Sequence, residues 1–324
     1  MQPTGPYTNF DGLATYGVPV IGLAQGLPLA PKYWFVSSNT TDSGKPLGSA
    51  AGDGSYSRPL ASITGALAKC VDSRGDCIVV MDGYTETLAA AAGIAIDKIG
   101  VTIVGLGVGN RRPTINLGTA TTATVTVTAA NVTIKNIRFL STFADVVTAI
   151  NLTAAGFSCL YCDFGDSAVD LNLLSAIKAT STTDGNANDF QAIGNTFLSQ
   201  DAATLAFVIF TADVLKVKIE DNIIVNEGTG LATIFTCATG KDIRMASVRR
   251  NVLSSKATAG NLGYSNDTAS PNNSGVIADN YIGHADVTGA MALGVVGGCR
   301  MFNNLTVSTD ALSGFVIPAI DVDL

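Results

Sequence analysis

Four carboxylates stand where acid–base chemistry could be done. Asp163 and Asp166 lie in CDFGD, and Glu220 and Asp221 lie in KIEDN. Two carboxyl groups facing across one groove are what glycosidic hydrolysis needs, one as acid and one as base or nucleophile. The competing reading is a set of solvated residues on an outer face, and it is the favoured one. Cys159 and Cys162 form a single CxxC pair. Zinc wants a second pair or histidines, and the chain has one histidine, His284. Strand positions three apart point to opposite faces, so these cysteines read as small buried apolar residues. Cys70 and Cys77 flank a short loop and could pair in an oxidising setting. Gly105-x-Gly107-x-Gly109 lacks the lysine and helix of a phosphate loop and reads as a turn. No cofactor or metal is expected.

The chain that must position these groups has 324 residues, of which 47% are apolar and only 14% charged. Its net charge of −7 argues against a nucleic-acid partner, since Arg249–Arg250 is the nearest thing to a basic patch. Residues 12–31, GLATYGVPVIGLAQGLPLAP, carry no charge, but seven of them are Gly or Pro. Such a segment cannot form a lipid-exposed helix, so no membrane insertion is expected. No basic stretch precedes an apolar core at the start, so no secretory signal is expected.

A repeat organises the remainder. NVTIKNIRF (131–139) alternates like a strand and is then interrupted by Asn136. Similar segments are FSCLYCDF (157–164), FQAIGNTFL (190–198), KVKIEDNIIV (216–225), MASVRRNVL (245–253), SGVIADNYI (274–282) and RMFNNLTV (300–307). Aligned on the interruption they give a column: Asn136, Cys162, Asn195, Asn222, Asn251, Asn280 and Asn304. An earlier strand-like piece precedes each unit, as in TVTVT (124–128), TAINLT (148–153), AIKATS (176–181), FVIFTA (207–212), ATIFTC (232–237) and ALGVVG (292–297). NLGYSND (261–267) is the weak member for the Asn280 unit. Three strands per repeat without helices predict the coils of an all-β, single-stranded parallel β-helix. Asn tolerates left-handed backbone at a sharp corner, and stacked Asn amides can hydrogen-bond as a ladder. On this alignment Asp163 and Asp221 flank the column at neighbouring positions, one coil apart.

Upstream, CIVVM (77–81), VTIVGLG (101–107) and PTINLG (113–118) read as the first coils. SRPLASITGALAKC (57–70) reads as a helix with Ser57 as N-cap and Pro59 in its first turn. Leu60, Ile63 and Leu67 share one face, suiting a cap over the open end of a solenoid. Three regions follow: an extended arm over 1–31, a strand, loop and capping helix over 32–76, and β-helix coils over 77–324. The arm has no period and carries Tyr7, Phe10, Tyr16, Val20 and Ile21, a composition that calls for a partner surface.

The run WFVSSN…SRPLASITGAL…CIVVMDGYTETL…GVTIVGLG resembles the start of right-handed parallel β-helix proteins of the pectate-lyase-like type, in particular the β-helix virion proteins of tailed bacteriophages. The resemblance spans about 32–324 and is sharpest over 33–140. It implies a virion protein, a homotrimer, and partners among capsid or other virion proteins. It also leaves open a tail spike that binds or cuts host surface glycan. Pectate lyases of this fold carry Arg-x-Pro-x-x-Arg, of which this chain has only Arg111-Arg112-Pro113. The polygalacturonase motifs are absent, and His284 sits in Gly-His-Ala-Asp. The expectation is a non-enzymatic capsid decoration or spike docked by its arm.

Overall fold

The computed structural model describes residues 32–40, 46–89, 91, 93–229, 233–256, 263–265, 272–284, 298–308 and 314–315. They form a parallel β-helix. A first sheet of ten strands runs from Tyr33–Val36 to Cys299–Phe302, and a second, also of ten, from Thr85–Leu88 to Gly314–Phe315. A third, of seven, runs from Ile94–Ile96 to Gly263–Ser265. Within each sheet the strands of successive coils pair in parallel, apart from an antiparallel last pair in the second sheet. Ile150, for example, lies between Val125 and Ile177 in the third sheet. Ten strands at about 4.8 Å spacing make the first sheet roughly 43 Å long.

The first sheet is framed by two columns of left-handed residues five positions apart. Asn131, Gly156, Asp189, Lys216 and Met245 open its strands, and Asn136, Tyr161, Gly194, Asp221 and Arg250 close them, all with φ between 53° and 75°. The four residues between alternate inward and outward. Val132 and Ile134, Phe157 and Cys159, Phe190 and Ala192, Val217 and Ile219 all point into one continuous apolar core. Left-handed backbone is costly for Tyr, Lys, Met or Arg. Here it is held because each corner N–H finds an acceptor in the next coil: Tyr161 donates to the Ile193 carbonyl, Asp221 to Arg249 and Lys216 to Arg244, at 2.9–3.0 Å, and Met245 to the Ser274 hydroxyl at 3.1 Å.

The asparagine column is real from Asn195 to Asn304, and Asn136 stands outside it. Register pairs Lys135 with Leu160 and Arg138 with Asp163, which sets Ile137 opposite Cys162 and Asn136 opposite Tyr161. Asn136 is therefore a left-handed corner residue (φ 55°), and its amide donates to the carbonyls of Gly105 and Gly107 at 2.8 and 2.9 Å. The ladder residues sit one position later and are not left-handed themselves. Asn222 shows the pattern. Its Oδ1 accepts the backbone N–H and the amide of Asn195, while its own amide donates to Asn251 Oδ1 and to the Ala192 carbonyl. Asn195, Asn222, Asn251, Asn280 and Asn304 are all buried. Cys162 ends the column, its N–H donating to Asn195 Oδ1 at 2.8 Å.

The capping helix is shorter than the sequence suggests. It spans Ile63–Leu67, and its N-cap is Ser62, whose Oγ accepts the Gly65 N–H at 3.0 Å; Ser57 plays no such part. Pro59 and Leu60 precede it in extended backbone, with Leu60 bridging to Val36 and Ser49. Leu60, Ile63, Ala66 and Leu67 are buried in the core beside the first coil. The piece ALGVVG lies outside the described residues.

These two kinds of asparagine respond differently to glycine. Asn136→Gly relieves a left-handed residue and loses two hydrogen bonds. Asn222→Gly relieves nothing and leaves the Asn195 N–H, the Asn195 amide and the Ala192 carbonyl unanswered. Denaturant titration is expected to show a loss on the order of 3 kcal/mol at Asn222 and less than half of that at Asn136. Equal losses would contradict the one-residue offset.

Candidate functional site

The candidate carboxylates do not converge. Asp163 opens a strand of the second sheet, Glu220 ends a strand of the first, and Asp221 is the corner between sheets two coils further on. Each is engaged by a neighbour from another coil. Asp163 forms ion pairs with Arg112 and with Arg138, the latter at 3.5 Å, and accepts the Thr196 hydroxyl. Arg138 and Thr196 are its register partners on either side. Arg250 grips Asp221 with two bonds of 2.6 and 2.9 Å and reaches Glu220 at 3.3 Å. Ser247 donates to the other oxygen of Glu220 at 2.6 Å. The Arg250 guanidinium holds the Asp221 carboxyl below its ordinary range. A general acid needs the reverse.

Asp166 departs from the solvated reading. It ends its strand at a closed corner and is only 6% exposed. One oxygen accepts the Leu173 N–H and the other the Gln200 N–H, both at 2.8 Å, so it ties down the loop between strands. Burial pushes its carboxyl up to about 6 against these bonds. A raised carboxyl is a mark of catalysis only where substrate can reach it, and this one faces backbone.

The CxxC pair is buried as expected, although its two cysteines do not point to opposite faces. Tyr161 is a left-handed corner, so Cys162 turns back inward instead of outward. Both cysteines are buried, with the Cys162 thiol donating to the Leu160 and Ile134 carbonyls and the Cys159 thiol to Asn195 Oδ1. Burial raises the Cys159 thiol well above its usual range, which makes it inert as a nucleophile. Cys70 packs in the main core while Cys77 packs in a separate cluster with Tyr33, Phe35, Val79 and Val104. Both are free thiols, and burial pushes each up to about 12. His284 stands opposite Ser255 and Ser308 in the second sheet. Gly107 and Gly109 form a turn into the 3-10 segment Gly109–Arg111.

Two shallow clefts lie on the outside. One, of about 260 Å³, runs along the opening corner column of the first sheet, lined by Asp189, Gln191, Lys216, Lys218, Met245 and Ser247. The sequence did not mark it, because its residues come from three coils. The other, of about 240 Å³, lies between Ser37–Thr40 and Asp82–Tyr84. Among the described residues no group of three or more His, Cys, Asp or Glu could hold a metal ion. No described helix is long and apolar enough to cross a membrane. Tyr7, Phe10, Tyr16, Val20 and Ile21 lie outside the described residues.

No family model matches the chain, and no curated protein matches it. Among solved structures, a rhamnogalacturonan lyase is similar at 15% identity and a TM-score of 0.36, over 89% of this chain and 90% of that one. A GH136 lacto-N-biosidase from Eubacterium ramulus is similar at 10% identity and a TM-score of 0.39, over 85% of this chain and 67% of that one. Both are enzymes, and likeness at this level says nothing about activity here.

The raised Asp166 carboxyl has a consequence for stability. Its unfolded value is about 3.9, so between about pH 4 and 6 the folded chain binds the proton more tightly. That contribution is present below pH 4 and is lost as pH rises through 6, on the order of 2–3 kcal/mol. Asp166→Ala is expected to lower the thermal midpoint at every pH and to flatten its fall between pH 4 and 7. An unchanged pH slope in the variant would contradict this account.

Proposed function

We propose that this chain is a non-enzymatic structural protein of a bacteriophage virion, a decoration or spike attached to the capsid and docked by its apolar N-terminal arm. The observation that carries the reading is the fate of the carboxylates. Asp163, Glu220 and Asp221 are engaged in ion pairs and hydroxyl bonds across coils, and Asp166 is locked to backbone N–H groups. None is left as a paired acid and base over an open groove. A stiff solenoid whose corners are hydrogen-bonded from coil to coil suits a spike. The uncharged stretch 12–31 suits attachment to a shell. The assembled form proposed is a homotrimer.

A second reading is a tail spike that binds or depolymerises host surface polysaccharide. The cleft at Lys216, Lys218, Gln191 and Ser247 favours it, since it offers polar and cationic groups on an accessible face. The only tryptophan, Trp34, lies in the first strand and is far from that cleft in the stack of coils.

Removing residues 1–31 is expected to leave a folded β-helix, seen in its circular dichroism, that no longer sediments with phage particles. Full retention on particles would sink the docking proposal. Incubation with host capsule is expected to release no oligosaccharide; shortened chains in the digest would instead support the tail-spike reading.

A further inference from the structure

The outer face of the second sheet changes character along the stack. One outward column reads Thr85, Thr114, Arg138, Asp163 and Thr196 through the first five strands. The next four residues in register are Ile223, Val252, Tyr281 and Leu305. Ile224, Leu253 and Ile282 beside them turn inward and are buried, whereas these four are 36–48% exposed. A strand with one solvated face ordinarily puts polar residues on it. Here a water-facing stripe about 14 Å long is wholly apolar.

Its surroundings say what the stripe faces. Leu198 and Val225 stand beside it in the adjacent outward column, Leu198 44% exposed. Together these side chains leave roughly 300 Å² of apolar surface open in one patch, a size that marks an interaction site. Both flanks are charged, and each is balanced. Asp221 pairs with Arg250 at the corner with the first sheet, and Glu227 pairs with Lys256 just past the strand ends. Each flank therefore offers one anion and one cation on adjacent coils, so two such flanks meet with opposite charges within about 4.8 Å. The stripe itself carries no charge. A symmetric contact lays like against like, and Arg138 or Asp163 at its centre would meet its own kind. The four apolar residues do not, and a foreign surface would impose no such rule.

We propose that this stripe is where copies of the chain meet: Ile223, Val252, Tyr281 and Leu305 line the axis of the homotrimer, three stripes side by side at one height. The inference rests on the homotrimer proposed above and adds the face that builds it. A stable contact takes about 800 Å² from each partner, so the stripe is its dry centre and the charged flanks are its rim. The dry contact spans these four coils, and the charged column upstream of them stays in water.

Sedimentation of the full chain and of Val252→Lys/Tyr281→Lys tests this, with Thr85→Lys, at the far end of the same column, as control. The parent and the control are expected to run as trimers, and the double variant to need about a hundredfold more protein to assemble. If the double variant does not fold, as read by circular dichroism, Tyr281→Cys in the full chain is expected to form disulfide-linked pairs on oxidation while Thr85→Cys does not. A parent that stays monomeric would overturn the homotrimer and this face with it. A trimeric parent whose folded double variant is equally trimeric, or whose Tyr281→Cys form stays unlinked, would overturn the face alone. A variant that keeps its trimer and loses its hold on phage particles would assign the stripe to the shell and overturn the proposal equally.

Discussion

The structure depends on a buried carboxamide that cannot be half satisfied. An asparagine amide sealed inside a β-helix costs more than it returns unless both hydrogens and the oxygen are bonded. At Asn195, Asn222, Asn251 and Asn280 all of them are, each rung answering the one before. Successive rungs are 27, 29, 29 and 24 residues apart. From Asn195 onward the ladder therefore dictates where each coil turns and leaves the outer loops free to vary in length. That separation lets a solenoid keep register without a strict sequence period.

The same stacking governs the charges. Residues in register on adjacent coils lie about 4.8 Å apart, so like charges in one column repel and opposite charges pair. Several columns pair opposite charges in this way: Asp163 beside Arg138, Asp189 beside Lys216, Asp221 beside Arg250, Glu227 beside Lys256. Of the acidic residues that look like a catalytic cluster along the sequence, Asp163, Glu220 and Asp221 are paired with a cation from another coil, and Asp166 is tied to backbone N–H groups. Ion pairing between coils, exposed and individually weak, thus engages these carboxylates with neighbouring coils.

How much of this was legible in the sequence varies by element and for physical reasons. The strands of the third sheet were plain because short strands with buried apolar ends recur, as at Val125–Val127 and Ile150–Leu152. The ladder was legible from Asn195 onward. Asn136 misled because two demands ask for the same residue type: left-handed backbone at the corner, and a buried amide one position later. The helix start was misplaced because Ser57 and Ser62 are both plausible caps, and the bridge from Leu60 to Val36 decides between them. The facing of Cys162 and the burial of Asp166 were missed because strand alternation does not carry through a corner. The Arg112–Asp163–Arg138 group joins residues from separate coils, and register, not spacing, brings it together.

The central claim is that the rungs act as one bonded column and not as separate buried amides. A double-mutant cycle on Asn222→Ala and Asn251→Ala, read by denaturant unfolding, tests it most directly. The account predicts a coupling of about 1 kcal/mol or more, because the first substitution already breaks the bonds that the second would remove. Additivity within about 0.5 kcal/mol would contradict it.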